Sequence, residues 1–96
     1  MPKAAHASEA WVLTDIPNIG KSIAQDLRGL GVSTPSDVAA MDPIAIYDAL
    51  RTPMGHRHDP CVLDTFLAAK EFMNGGPVLP WWHFTPIRKA NKLIPE

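Results

Sequence analysis

Metal-capable and reactive side chains lie close together between residues 55 and 64. His56, His58 and Cys61 carry nitrogen and sulfur atoms of the kind that bind zinc. Their spacing matches no standard zinc signature, and the sequence offers no second cluster of ligands. We favour a structural interpretation, in which Asp59 caps a helix, Cys61 is a small buried residue and the histidines are exposed. The sequence therefore predicts no metal site and no cofactor.

The single cysteine offers a second kind of chemistry. Cys61 falls in the first turn of a predicted helix, where the dipole favours a thiolate, and Arg57 and His58 are close in sequence. Burial and the Asp59 carboxylate would oppose ionisation, and the chain holds no resolving cysteine. We therefore expect an inert thiol. A thiol- or metal-dependent protein centred on Cys61, His56 and His58 stays as an alternative function.

A further candidate site is the apolar-Pro-x-apolar-Gly turn at residues 16–20, typical of a helix-hairpin-helix unit. Pro17 makes the entry rigid, Ile19 fills the gap between the two helices, and Gly20 lets the backbone approach another surface. If Gly20 lies against its neighbour or is strained, Gly20→Val should destabilise the protein by more than about 1 kcal/mol. Asn18 replaces the usual first glycine, and asparagine tolerates the left-handed conformation.

The helix that follows this turn is expected to bind an anion such as phosphate through its free backbone amides. Lys21 lies beside these amides, and Arg28 follows two turns further along the same helix. Such contacts carry no base information, so we expect nucleic-acid binding that is independent of sequence. A purely architectural hairpin stays open as an alternative. The residues predicted to bind are Pro17, Asn18, Ile19, Gly20, Lys21, Ser22 and Arg28.

Composition limits the classes of protein that can contain these residues. The chain has 96 residues and a formal net charge of −1, so any DNA contact must come from a local basic patch. One cysteine excludes an internal disulfide and favours a cytoplasmic location. No segment resembles a signal peptide or spans a bilayer. We find no paired carboxylates and no nucleotide-binding phosphate loop, and predict no catalytic residues and no small-molecule substrate.

Helix starts are marked by prolines that follow a capping residue. Thr34-Pro35, Asp42-Pro43 and Asp59-Pro60 each predict one, because proline suits the first helical position. A helix after Gly20 should end at Gly31, and another should run from Ser8 through Leu13 and stop before Pro17.

The helix from residue 60 should end at the Gly-Gly-Pro sequence 75–77, and a short helix should begin at Thr85-Pro86 with Arg88, Lys89 and Lys92 on it. Residues 43–51 and 60–74 would form a second hairpin, joined by a turn at 51–55. The fold class predicted is all-α, a helix-hairpin-helix (SAM-domain-like) bundle of about five helices. It should occupy residues 8–90, between flexible tails at 1–7 and 91–96.

The aromatic segment at residues 80–84 is expected to pack back across the helices. We expect one of Trp81 and Trp82 in the core, the other partly exposed, and Trp11 in the core as well. A stacking platform for single-stranded nucleic acid is the functional alternative for the aromatic segment. A protein-interaction adaptor, using Trp81 and Trp82 to bind a partner, is the alternative function for the whole chain.

A resemblance to known protein families makes the expected fold more specific. Residues 27–38, LRGLGVSTPSDV, resemble the L-x-x-x-G-I-x-T-x-x-D-L segment that follows the hairpin in helix-hairpin-helix domains such as that of the bacterial RNA polymerase α subunit. With RHDPCVLD at 57–64 and PWW at 80–82, the chain from about Leu13 to Lys89 resembles a family of small bacterial helix-hairpin-helix proteins. These are the pathogenicity-locus or mitomycin-resistance-like proteins. The resemblance implies that fold and a role in DNA damage or stress response.

Overall fold

A computed structural model describes residues 3–52, 54–56 and 58–91. This part of the chain is all-helical and contains no strand, as predicted, with five α-helices and three short 3-10 turns. None of the helices described is long and apolar enough to cross a membrane. The α-helices are α1 Lys21–Gly29, α2 Pro35–Ala40, α3 Pro43–Ala49, α4 Pro60–Met73 and α5 Thr85–Ala90, and the 3-10 turns are Ala7–Glu9, Leu13–Asp15 and Trp81–Phe84.

The three proline-led helix starts are confirmed at the predicted residues. The hydroxyl of Thr34 accepts a hydrogen bond from the Asp37 amide at 3.2 Å, and the Asp37 carboxylate accepts the amide of Thr34 in return. The Asp42 carboxylate caps α3, and that of Asp59 caps α4. Each cap satisfies amides that have no partner inside the helix, so short helices are stable at these positions.

The helix predicted from Ser8 through Leu13 is wrong. Two 3-10 turns stand in its place, separated by residues with extended backbone such as Val12. The carboxylate of Asp15 accepts the backbone amides of Trp11 at 2.9 Å and Val12 at 3.1 Å. A side chain that binds nearby amides in this way offers the backbone an alternative to the helix, and here that alternative is adopted.

The core is arranged around α4. Its apolar side chains Leu63, Phe66, Ala69 and Phe72 are buried, and α2, α3 and the turn Trp81–Phe84 all pack on this helix. The N-terminal half adds Leu13, Ile16, Ile19, Ala24 and Leu27, all without exposed surface.

Helices α3 and α4, which were predicted to form a second hairpin, pack against each other. The hydroxyl of Tyr47 on α3 donates a hydrogen bond to the backbone carbonyl of His58, just before α4 begins. The two helices are therefore held together at the start of α4. Pro53, in the turn predicted between them, lies outside the described residues.

The C-terminal aromatic segment packs back onto α4, as predicted, but its tryptophans do not enter the core. Trp82 is 62% exposed and Trp81 is 37% exposed. The half-buried residues of this segment are Leu79, Pro80 and Phe84. The prediction of a core tryptophan here is therefore wrong, because an aliphatic, a proline and a phenylalanine side chain take the inward positions.

Helix α5 begins at Thr85, as predicted, and an ion pair attaches it to α4. The Nε atom of Arg88 lies 2.8 Å from Oδ1 of Asp64, whose side chain is fully buried. The hydroxyl of Thr85 donates to the other carboxylate oxygen of Asp64 at 2.7 Å. Lys92, which was predicted to follow on this helix, lies outside the described residues.

Candidate functional site

The turn at residues 16–20 has the left-handed residue that its sequence predicts, although the 3-10 turn Leu13–Asp15 precedes it where the first helix of the hairpin was expected. Asn18 adopts a left-handed backbone with φ of 74°, and the amide of Ile19 donates to the carbonyl of Ile16 at 3.1 Å. The side chains of Ile16, Pro17 and Ile19 are buried beneath the turn. The apolar side chains thus pack the turn onto the core, and the chain continues from the turn into α1.

The side chain of Asn18 is engaged on the C-terminal segment. Its Nδ2 atom donates a hydrogen bond to the carbonyl oxygen of Leu79 at 2.8 Å. This bond fixes the amide group and leaves Asn18 half-buried. In this conformation the side-chain amide of Asn18 is engaged within the fold, so an anion at this turn would have to contact the residues that follow it.

The N-terminus of α1 has no side-chain cap. Its N-cap residue, Gly20, has an extended backbone with φ of −94° and ψ of −178°, and offers no side chain to the amides. The first hydrogen bond of the helix runs from Ala24 to Gly20 at 2.9 Å. The amides of Lys21, Ser22 and Ile23 precede it and have no partner within the helix.

Close packing does not require a glycine at position 20. A Cβ atom added there would meet no atom within 4 Å in the described part of the chain, and the φ angle is one that any residue adopts. Neither condition for a destabilising Gly20→Val change is met, so that prediction is withdrawn. The open space in front of Gly20 is nevertheless where a ligand could approach the amides of α1.

Two open grooves adjoin this helix end and share Thr14 and Lys21. The first, about 360 Å³, is lined by Lys3, Val12, Thr14, Asp15, Gly20 and Lys21. The second, about 380 Å³, is lined by Thr14, Lys21, Gln25 and Arg28. Lys21 and Arg28 are both exposed. The structure therefore brings together the two cations that were predicted to contact phosphate.

Lys3 is a cation of this site that sequence reasoning missed. Its ammonium group donates hydrogen bonds to the carbonyl oxygens of Thr14 and Ile19, although it was predicted to lie in a flexible tail. The amide of Ala4 also donates to the carbonyl of Asp15 at 2.8 Å. No pattern in the first residues signals these contacts, because they depend on where the turn at 16–20 lies in space.

Asp15 is the acidic residue of the first groove. The amides of Trp11 and Val12, which donate to its carboxylate, hold its pKa below the usual value, and the charge of Lys3 acts in the same direction. The carboxylate is thus ionised near neutral pH and engaged with the backbone. Three cations, Lys3, Lys21 and Arg28, accompany this single carboxylate along the two grooves.

Trp11 is the largest departure from the sequence prediction in this region. It was predicted to lie in the core, but 84% of its surface is exposed, and half of the neighbouring Val12 is exposed as well. The prediction was wrong because the segment is not a helix: Leu13 is fully buried and Ala10 packs against the core, but Trp11 between them points outward.

The cysteine site has the geometry of a helix cap. Cys61 is the second residue of α4 and is half-buried, and its Sγ atom donates to Oδ1 of Asp59 at 2.7 Å. This hydrogen bond, followed by burial and the charge of Asp59, raises the pKa of the thiol. The direction agrees with the opposition to ionisation that the sequence predicted, although Cys61 is half-buried and not buried as expected.

The histidines near Cys61 do not form a ligand set with it. His56 is exposed, and His58 is half-buried with its carbonyl accepting the hydroxyl of Tyr47. Within residues 3–52, 54–56 and 58–91, no three His, Cys, Asp or Glu side chains are grouped so that they could hold a metal ion. Arg57, the cation invoked for the thiolate, lies outside the described residues.

The fold and this site define a small all-helical protein whose N-terminal turn leads into an uncapped helix beside exposed cations. Residues 6–90 match the model of the Cdd1 family, described as "Pathogenicity locus", and the chain belongs to this family. It is 36% identical over 83 residues to a protein of Streptomyces lavendulae named "Mitomycin resistance protein McrB". The match covers 86% of this chain and 79% of that relative. No solved structure matches significantly. The resemblance noted from the sequence is confirmed.

Proposed function

We propose that this protein is a non-enzymatic module that binds nucleic acid through backbone phosphates, independently of base sequence. The observation that carries the proposal is the uncapped N-terminus of α1 at Gly20, with Lys21 and Arg28 exposed along the adjoining grooves. Unpaired amides and the helix dipole favour an anion at such an end, and the two cations extend the favourable surface to a second phosphate.

The proposed binding is weak and sensitive to salt. The net charge of the chain is −1, so the rest of the surface gives no long-range attraction to DNA. Affinity depends on the few charges beside α1 and on release of counterions from the phosphates that they neutralise. Since amides and cations contact only phosphate oxygens, affinity should not vary with base sequence.

A role in DNA damage or stress response, in the cytoplasm, is part of this proposal. The support for the role is the name of the relative from Streptomyces lavendulae, which refers to resistance to mitomycin, and the support for the location is the single cysteine of the chain.

The test is titration of fluorescently labelled DNA, duplex and single-stranded, at several salt concentrations. The double change Lys21→Ala with Arg28→Ala should weaken binding for every sequence alike and reduce the salt slope by roughly one to two. Lys89→Ala is the matched control, since Lys89 is an exposed cation on α5 that lines neither groove. No binding by the wild type at low salt and at protein concentrations up to about 1 mM, above the dissociation constants of about 10⁻⁴–10⁻⁶ M that non-specific DNA binding usually shows, would contradict the proposal.

A protein-interaction adaptor is the second candidate function. The observation that favours it is the exposure of Trp82, at 62%, close in sequence to Val78, at 53%. Exposed aromatic residues of this kind are common at the centres of protein interfaces. If the wild type binds no DNA, and Trp82→Ala abolishes binding of a purified partner measured by calorimetry, the adaptor function is favoured over the nucleic-acid function.

A further inference from the structure

We propose that Trp11 is a stacking platform for an unpaired base, so that the site beside α1 prefers single-stranded over duplex DNA. This inference rests on the proposed phosphate-binding function and names its substrate class. It is carried by the exposure of Trp11, by its place next to the groove at Gly20, and by the charges along that groove.

The backbone of Trp11 is hydrogen-bonded to Asp15, whereas its side chain is exposed to solvent. Its amide donates to Oδ2 of Asp15 at 2.9 Å, and the amide of Val12 donates to the same oxygen at 3.1 Å. The indole, by contrast, is 84% exposed and contributes nothing to the buried core. A tryptophan is highly buried on average, so one left this exposed on an anchored backbone is available for contact with a ligand.

The backbone of Trp11 lies beside the groove that contains Gly20. Half of Val12 is exposed, and it lines the same groove as Gly20 and Lys21. Consecutive Cα atoms are about 3.8 Å apart, so this is the distance between the Cα atom of Trp11 and that of Val12, which lines the groove. The amide of Trp11 also lies 2.9 Å from Oδ2 of Asp15, a second residue that lines this groove, so the backbone of Trp11 borders the groove that reaches the N-terminus of α1.

The combination of an exposed indole with this groove fits a nucleotide whose base is unpaired. The base of such a nucleotide can turn outward and stack on an aromatic side chain while its phosphate is bound nearby, and stacking accepts any base. In a duplex both faces of each internal base are covered by its neighbours, so only the phosphate contacts remain. The cations Lys3, Lys21 and Arg28 outnumber the carboxylate of Asp15 along the grooves, which suits a polyanion better than an acidic or neutral peptide.

The experiment compares a labelled oligothymidine with a duplex of equal length by fluorescence anisotropy at low salt. Trp11→Ala should weaken binding of the single strand by about 5- to 140-fold, the change in affinity that loss of one stacked base produces. Binding of the duplex should change by no more than about twofold. Trp11→Phe should retain most of the single-strand affinity because a phenyl ring still stacks.

Trp82→Ala is the matched control, since Trp82 is also an exposed tryptophan but lies in the turn packed on α4. It should leave both affinities unchanged. In a Trp81→Phe, Trp82→Phe protein, quenching of the remaining Trp11 fluorescence on addition of oligothymidine gives a direct readout of stacking. Unchanged melting of the Trp11→Ala protein shows that its fold is intact.

The outcomes separate this inference from the function on which it rests. If the Lys21→Ala, Arg28→Ala protein loses both ligands but Trp11→Ala changes neither, stacking is overturned and phosphate binding stands. If Trp82→Ala produces the loss instead, the base does not stack at Trp11 and the inference is again overturned. If the wild type binds neither ligand, the inference and the proposed function both fall.

Discussion

The side-chain amide of Asn18 donates a hydrogen bond of 2.8 Å to the backbone carbonyl of Leu79, joining the N-terminal turn to the segment that leads into the aromatic turn. Asn18 also has the left-handed backbone that this turn requires, with φ of 74°. One residue therefore both shapes the turn and attaches it to the C-terminal segment. Glycine, which is usual at this position, could do only the first.

Two substitutions of Asn18 should separate these contributions. Asn18→Gly keeps an easy left-handed backbone and loses only the bond to Leu79, so it should lower the free energy of unfolding by about 1 kcal/mol. Asn18→Ala loses the bond and also strains the backbone, which should add roughly 1 kcal/mol more. Urea unfolding of both proteins measures the difference. Equal stability of the two variants would show that the turn does not require the left-handed conformation.

Gly20 allows stability and anion binding to be tested independently. Gly20→Asp places a carboxylate where it can cap the amides of Ser22 and Ile23, so the free energy of unfolding should stay equal or rise by a few tenths of a kcal/mol. The same carboxylate occupies and repels the anion site, so DNA binding should be lost. Gly20→Ser, a cap without charge, is the control and should weaken binding less. DNA affinity of the Gly20→Asp protein equal to that of wild type would contradict an anion site at α1.

The helices with proline at their first position were predictable because local chemistry determines them. Thr34-Pro35, Asp42-Pro43 and Asp59-Pro60 contain both the cap and the preset backbone angle within two residues. The structure shows these caps formed, so nothing distant had to be known.

The N-terminal segment was not predictable in the same way. Ala10, Trp11 and Leu13 fit a helical face by spacing, yet the carboxylate of Asp15 takes the amides of that face and replaces the helix by a turn. The contacts of Lys3 with the carbonyls of Thr14 and Ile19 likewise join parts of the chain that have no common local pattern. Sequence reasoning thus missed the residues of the candidate site whose positions depend on contacts of this kind, Lys3 and Trp11.

The thiol of Cys61 should react slowly with alkylating agents near neutral pH. The hydrogen bond to Asp59, together with burial, raises the thiol pKa, so the reactive thiolate becomes abundant only at a pH above its ordinary range. Asp59→Asn keeps an oxygen that can cap α4 but removes the negative charge, so the pKa should fall and alkylation should become faster at the same pH. The rate of alkylation as a function of pH, in native and urea-unfolded protein, measures this. A native Cys61 that labels rapidly below neutral pH would contradict the prediction and favour a redox function.

The ion pair between Asp64 and Arg88 should be the strongest single attachment of the C-terminal segment. Asp64 is fully buried and Arg88 is only 8% exposed, so neither charge is solvated by bulk water. Each is instead stabilised by the other, with Thr85 satisfying the second carboxylate oxygen. Removing one partner leaves a buried charge without compensation, which is far more costly than losing an exposed pair.

Arg88→Met should therefore lower the free energy of unfolding by about 3–5 kcal/mol, the range found when one member of a buried pair is removed. Adding Asp64→Asn to this protein removes the uncompensated charge, so the double variant should be less destabilised than the sum of the two single changes. Lys89→Ala, an exposed cation on the same helix, should change stability by no more than about 0.5 kcal/mol. Urea unfolding of the four proteins and wild type gives the coupling energy directly. Additive effects of the Asp64 and Arg88 changes would show that the pair is not coupled, and that α5 is attached mainly by the apolar contacts of the aromatic turn with α4.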